Sequence, residues 1–158
     1  MRILYVSQYF APDMGAPSVR VRELARHWVS LGHEVTVLTA FPNHPTGVIY
    51  PGYRKRVWRF VDAEFQDGVR VVRTCLIPRP NRRAWERAMS PVSFAASASV
   101  TSLFAGGFDV VIATSPQLLV GLVGWWRSKV RRTPFVFEVR DLWPESIVAT
   151  GLSGRNSP

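Results

Sequence analysis

The chain has 158 residues, 47% of them hydrophobic and 20% charged, which suits one folded domain and excludes disorder as its dominant state. The single cysteine, Cys75, excludes an intramolecular disulfide and a thiolate metal cluster, and no run approaches the roughly 20 uncharged apolar residues that a bilayer span requires. The formal charge of +9 is carried almost wholly by arginine, Lys55 and Lys129 being the only lysines, and it favours an anionic partner: phosphate, nucleic acid or an acidic membrane.

In chain order, Arg2 to Val6 reads as a short buried strand, and its apolar run is far too short for a secretory signal. A Pro- and Gly-rich loop, Ser7 to Pro17, follows. Ser18 is expected to cap a helix that puts Val21, Leu24, Ala25, Trp28 and Leu31 on one face, with Gly32 as its stop. Glu34 to Thr39 is a second strand. Phe41 to Asp67 reads as irregular, broken in its first half by Pro42, Pro45, Gly47, Pro51 and Gly52. Gly68 to Thr74 is a third strand, placed near an edge by its alternation of arginine with valine. A basic loop, Pro78 to Arg83, leads into a helix over Ala84 to Phe104 that Pro91 either kinks or opens. Asp109 to Thr114 is a fourth strand, Gln117 to Val130 an apolar helix and Phe135 to Val139 a fifth strand. Arg140 to Ser146 is a polar loop, with a last helix starting near Pro144. Gly151 to Pro158 shows no periodicity.

Five strands separated by helical crossovers predict an α/β, Rossmann-like parallel sheet with helices on both faces. Such sheets bind ligands beyond the carboxyl ends of their strands. That rule selects four loops: Ser7 to Pro17, Ala40 to Gly52, Ser115 to Gln117, and Arg140 to Ser146.

These loops and their flanks carry an ordered set of words: Tyr9-Phe-Ala-Pro12 with Gly15, Leu31-Gly-His-Glu-Val-Thr-Val-Leu-Thr39, Phe41-Pro-Asn-His-Pro45 with Gly47, and Tyr50-Pro-Gly-Tyr-Arg54. Asp67-Gly-Val-Arg-Val-Val-Arg73, Thr114-Ser-Pro116 and Glu138-Val-Arg-Asp-Leu-Trp-Pro-Glu145 complete it. Together they resemble the retaining, GT-B-fold glycosyltransferases of family 4, in the branch that builds bacterial surface polysaccharides of the colanic acid or O-antigen type. The resemblance implies an N-terminal, acceptor-side domain over residues 1–151, a truncated or disordered tail over 152–158, and an absent C-terminal donor domain. It implies a nucleotide-sugar donor bound through that domain, a saccharide or lipid-linked acceptor, no cofactor and no metal. A fragment lacking the donor domain is expected not to turn over. The location implied is cytoplasmic, peripheral at the inner face of the membrane.

On this reading Gly15 and Ala16 let the backbone approach the donor diphosphate or the acceptor at a helix N-terminus, where negative charge is favoured. No Gly-x-Gly-x-x-Gly follows Val6, so this is not a dinucleotide fingerprint. Asp13 is a candidate for a sugar hydroxyl and Arg20 for a phosphate, while Arg22 reads as surface and His33 as a structural turn residue. His44 is a candidate base or acceptor hydrogen-bonding group, with Asn43 beside it. Some relatives carry a histidine after the fourth strand; here Ser115 stands in that region, either on substrate or as a helix cap. That shifts the expected catalytic base to Asp141, within the set Arg140, Asp141, Trp143 and Glu145.

Trp125, Trp126, Arg127, Lys129, Arg131 and Arg132 end one apolar helix, and Arg79, Arg82, Arg83, Trp85 and Arg87 precede or open the other. Aromatics beside cations suit a headgroup interface. Two alternative functions fit a basic Rossmann-like domain. Nucleic-acid binding lacks a visible helix-turn-helix, aromatic platform or zinc spacing, and nicotinamide binding lacks the glycine fingerprint.

Overall fold

The computed structural model describes residues 1–78 and 84–140, the side chains of 84–87 excepted. One six-stranded sheet organises it. The strands are β1 (Arg2–Val6), β2 (Glu34–Ala40), β3 (Val61–Gln66), β4 (Val69–Thr74), β5 (Val110–Thr114) and β6 (Phe135–Glu138). Their spatial order is β3-β4-β2-β1-β5-β6, and every neighbouring pair is parallel except β3 with β4. The helices are α1 (Ala16–Ser30), α2 (Ala84–Phe104) and α3 (Leu119–Arg131). This is the expected α/β, Rossmann-like architecture.

The period-two alternation of the strands sorts their side chains between two cores. Ile3, Tyr5, Val35, Val37, Val69 and Val71 face α1, which contributes Val21 and Ala25. Leu4, Val6, Leu38, Ala40, Val72, Val111 and Ala113 face the other way, against Phe94 and Ala98 of α2 and Val120 and Val123 of α3. Each fully buried Val, Leu or Phe contributes about 1.5–3 kcal/mol of apolar transfer energy. Gly121 and Gly124 of α3 face Phe137 and Phe135 of β6, and a Cβ on Gly124 would collide with the Phe135 ring.

Two expectations need correction. The segment before Asp67 is not irregular throughout: Val61 to Gln66 pairs antiparallel with β4. Asp67 and Gly68 both have positive φ, 52° and 78°, which gives the two-residue turn whose twist suits a hairpin. The third predicted strand is therefore second from the edge, and β3 is the edge. Finally, α1 begins before Ser18. Gly15, with φ 127°, is its N-cap and Pro17 lies in its first turn, where proline's missing N–H is harmless. Ser18 is buried within the helix.

All three helices start at the carboxyl edge of the sheet and run back along it. The N–H of Ile77, beyond the end of β4, reaches Ser93 Oγ at 2.9 Å, whereas Arg70, near the start of β4, reaches the Ala105 carbonyl at 2.9 Å. α2 thus runs antiparallel to the strands, and its first turns extend past their carboxyl ends. α3 also starts at the carboxyl edge, after Ser115 to Leu118, and ends at the amino edge. Among the described residues no helix is long and apolar enough to cross a membrane.

Candidate active site

The loops after β1, β2 and β5 meet at the carboxyl edge of the sheet. Asp13 joins the first two. One of its carboxylate oxygens accepts the backbone N–H of both Asn43 and His44 at 2.8 Å, while the other is buried without a hydrogen-bond partner. Asp13 is buried, not a solvated turn residue. Burial pushes its carboxyl above the ordinary 3.8, against the opposing pull of the two N–H groups. The His44 ring consequently sits 5.0 Å from the Tyr9 ring, and a Cβ on Gly15 would stand 3.7 Å from His44 Nε2. Gln117, from the loop after β5, points its amide nitrogen at the Tyr9 hydroxyl, 3.5 Å away. His44, Gly15 and Ala16 are therefore neighbours at the N-terminus of α1.

The His44 loop also holds itself. Tyr50 donates its hydroxyl to the His44 carbonyl at 2.7 Å, and the N–H of Gly47 reaches the Asn43 carbonyl at 2.7 Å. Asn43 is buried and turns its amide nitrogen onto the Phe41 carbonyl at 2.9 Å. Its side chain shapes the loop.

Beneath both loops lies Arg73, a residue that its sequence context places only within a strand. Its side chain is 0% exposed. Nε donates to Glu64 Oε1 at 2.7 Å, Nη1 to the Ala40 carbonyl at 3.3 Å and Nη2 to the Ala11 carbonyl. Its guanidinium lies 4.9 Å from the centre of the Tyr53 ring. One side chain thus ties the β1 loop, the end of β2, and β3. Burial alone would raise the Glu64 pKa, but hydrogen bonds from Arg73 and Arg56 outweigh it and hold the carboxyl below 4.5.

On the other flank Glu138 gathers Arg20 and Tyr5. Arg20 is ion-paired with it and the Tyr5 hydroxyl donates to it at 3.1 Å. Burial opposes ionisation of Glu138, yet the Arg20 and Tyr5 hydrogen bonds hold its carboxyl below the ordinary value. Arg20 therefore reaches a carboxylate here. Arg22, read as surface, pairs with Asp67 at 2.7 Å. Ser115 is buried and does not cap α3: its Oγ accepts the N–H of Arg140 at 2.7 Å, joining the β5 and β6 loops. Asp141, Trp143 and Glu145 lie outside the described residues.

Of the basic and aromatic residues ending α3, Trp125 and Trp126 are exposed, as are Lys129, Arg131 and Arg132. Arg127 is not on that surface. It is buried, with Nε on the Ser102 carbonyl at 2.9 Å and Nη2 on the Gly106 carbonyl at 2.7 Å, so it fastens α3 to the end of α2. The side chain of Trp85 lies outside the described residues. His33, near the Met1 amino group at 3.4 Å, sits at the amino edge, consistent with a structural turn.

A family model described as a glycosyl transferase 4-like domain matches residues 15–156, which includes the α1 N-terminus and every carboxyl-edge loop after it. The chain belongs to this family. At that level it is a glycosyltransferase domain, and its sheet and helices are one half of a GT-B fold. No curated protein matches it. Two solved structures of a C-terminal domain of a hydrogenase from Pyrococcus furiosus are similar in fold. The first, at 15% identity, covers 87% of this chain and 90% of that one with a TM-score of 0.55. The second, also at 15% identity, covers 87% and 89% with a TM-score of 0.51. At such identity the likeness concerns the fold alone.

Proposed function

We propose that this glycosyl transferase 4-like domain is the acceptor-binding half of a retaining glycosyltransferase. The enzyme moves a hexosyl or amino-sugar group from a nucleotide-sugar to a saccharide acceptor, lipid-linked, in bacterial surface-polysaccharide synthesis of the colanic acid or O-antigen type. The donor is held by a second Rossmann-like domain C-terminal to residue 151, with no cofactor or metal. The carrying observation is the Asp13 bridge, which places His44 against Gly15 at the α1 N-terminus on the carboxyl edge. That arrangement offers a partly exposed imidazole beside backbone N–H groups suited to phosphate.

In this reading Gly15 and Ala16 admit the donor diphosphate, His44 hydrogen-bonds the acceptor, and Asp141 takes the proton of the attacking hydroxyl. Arg140, Trp143 and Glu145 orient the acceptor, and Arg20 exchanges Glu138 for phosphate when donor arrives. The protein acts at the cytoplasmic face of the membrane, where a lipid-linked acceptor is presented. The family match favours this reading over nucleic-acid or nicotinamide binding.

The test is sugar transfer by the protein carrying its donor domain. Asp141→Asn lowers kcat by about 100-fold or more, as loss of a general base does, with circular dichroism unchanged. His44→Ala raises KM for acceptor more than it lowers kcat. Full activity in both variants removes them from the site. A steep salt slope for DNA binding, with no sugar transfer, replaces the reading with the nucleic-acid one.

A further inference from the structure

Among the described residues, two surfaces combine exposed apolar and cationic side chains. One is the end of α3, with Trp125, Trp126, Lys129, Arg131 and Arg132. Because α3 runs away from the carboxyl edge, its basic end lies at the opposite side of the domain from His44 and Gly15.

The second surface is on the same edge as the site. The segment before β3 reads Arg54-Lys-Arg-Val-Trp-Arg-Phe60, and within it Trp58 is 84% and Phe60 72% exposed. Phe60 is not a loose tip. The Phe60 carbonyl accepts the Cys75 N–H at 3.1 Å, which fixes it beside the carboxyl end of β4. Two residues on, Ile77 is also exposed, and its N–H is held by Ser93 of α2. Val92, adjacent to Ser93, is exposed on the projecting part of that helix. These contacts set Phe60, Ile77 and Ser93 along the carboxyl edge, with Trp58 and Val92 beside them in the chain. The cations are partitioned around them. Arg56 turns inward to Asp62 and Glu64, whereas Arg54, Lys55 and Arg59 are exposed.

We propose that this carboxyl-edge surface is the protein's bilayer-docking face and that its partner is an anionic lipid surface. Tryptophan and phenylalanine ringed by arginine and lysine match the two layers of a membrane interface: rings settle at the headgroup level and cations pair with anionic lipid. The net charge of +9 has the same sign. Docking here sets the His44 cleft beside the headgroups, where an acceptor attached to lipid reaches it; docking through the end of α3 turns the cleft away. The inference rests on the proposed lipid-linked acceptor and assigns the surface that meets the membrane.

Sedimentation with phosphatidylcholine vesicles, with and without phosphatidylglycerol, tests it. Trp58→Ser with Phe60→Ser weakens binding to anionic vesicles about tenfold or more, while Lys129→Ser with Arg131→Ser and Arg132→Ser changes it less than about threefold. Circular dichroism of both variants matches the parent, because all five side chains are exposed. Binding unchanged by the first pair and lost in the second set overturns the assignment and leaves the lipid-linked reading standing. A parent protein that binds neither vesicle overturns both. A parent that binds no vesicle but dimerises through Trp58 and Phe60 gives the face to a second copy. Transfer to a soluble, lipid-free acceptor, measured in parallel with the donor domain attached, reports on the transferase reading separately.

Discussion

Asp13 holds the backbone of His44, 31 residues away in sequence, through a 2.8 Å hydrogen bond, and the same oxygen holds the N–H of Asn43. The carboxylate acts as a bridge between two loops, and without it the loop after β2 has one buried and one half-buried N–H to satisfy.

Asp13→Ala therefore destabilises the protein by about 1–3 kcal/mol for each N–H left without an acceptor, read by urea denaturation. Asp13→Asn keeps a carbonyl oxygen for that bond and costs far less. The folded pKa of Asp13 lies above the ordinary 3.8, so its ionisation removes stability as pH rises through the range between them. The stability of Asp13→Asn relative to the parent accordingly improves from about pH 4 upward; a pH-independent difference contradicts this.

Arg73 and Glu64 form the second bridge. Removing one partner of a buried pair costs about 3–5 kcal/mol, because the other charge is left in place. Arg73→Met should approach that loss, and the double variant Arg73→Met with Glu64→Gln should be less destabilised than the sum of the singles. A double-mutant cycle measures the coupling, and strict additivity refutes it.

Glu138 and Glu64 govern the acid side of the stability profile. Both carboxyls are held below 4.5 in the folded protein, so each contributes stability above its unfolded pKa, and that contribution is lost as pH falls through the folded value. Melting temperature should drop below about pH 4.5. Glu138→Gln should shallow that drop while lowering the neutral-pH value, because Arg20 and Tyr5 lose their ionised partner.

Gly124→Ala separates two opposed effects. Alanine gains about 1 kcal/mol of helix propensity over glycine. The added methyl, however, lands 2.4 Å from the Phe135 ring and 3.0 Å from the Ala113 Cβ, and overpacking costs about 1–3 kcal/mol. The net result is destabilisation with a lowered melting temperature; a rise shows that the Phe135 ring moves freely.

The sheet was legible because β-branched runs such as Glu34 to Thr39 and Asp109 to Thr114 alternate with helical spacing, and the connections leave few topologies. β3 was hidden behind the prolines and glycines that precede it, although Asp67-Gly68 between alternating apolar residues is a hairpin signal. Arg73 and Arg127 were harder to place. Charge is ordinarily assigned to solvent, and nothing local reveals that the Ala11, Ala40, Ser102 and Gly106 carbonyls converge on these guanidiniums. Likewise Asp13 was readable as a loop residue, but its role depends on where a distant loop arrives.

The Asp67-Gly68 turn lies at the amino edge, the far end of the sheet from His44. It sets which residues of β3 stand opposite β4: Asp62 faces Arg73 and Glu64 faces Val71. Because successive side chains alternate between faces, one residue added to this turn would slide β3 by one position and carry both acidic side chains to the other side of the sheet. Arg73 would then lose its Glu64 partner while still grasping the Ala11 and Ala40 carbonyls. The length of a surface turn remote from any substrate is thus a hidden gauge of cleft geometry, and insertions there should be far less tolerated than its exposure suggests.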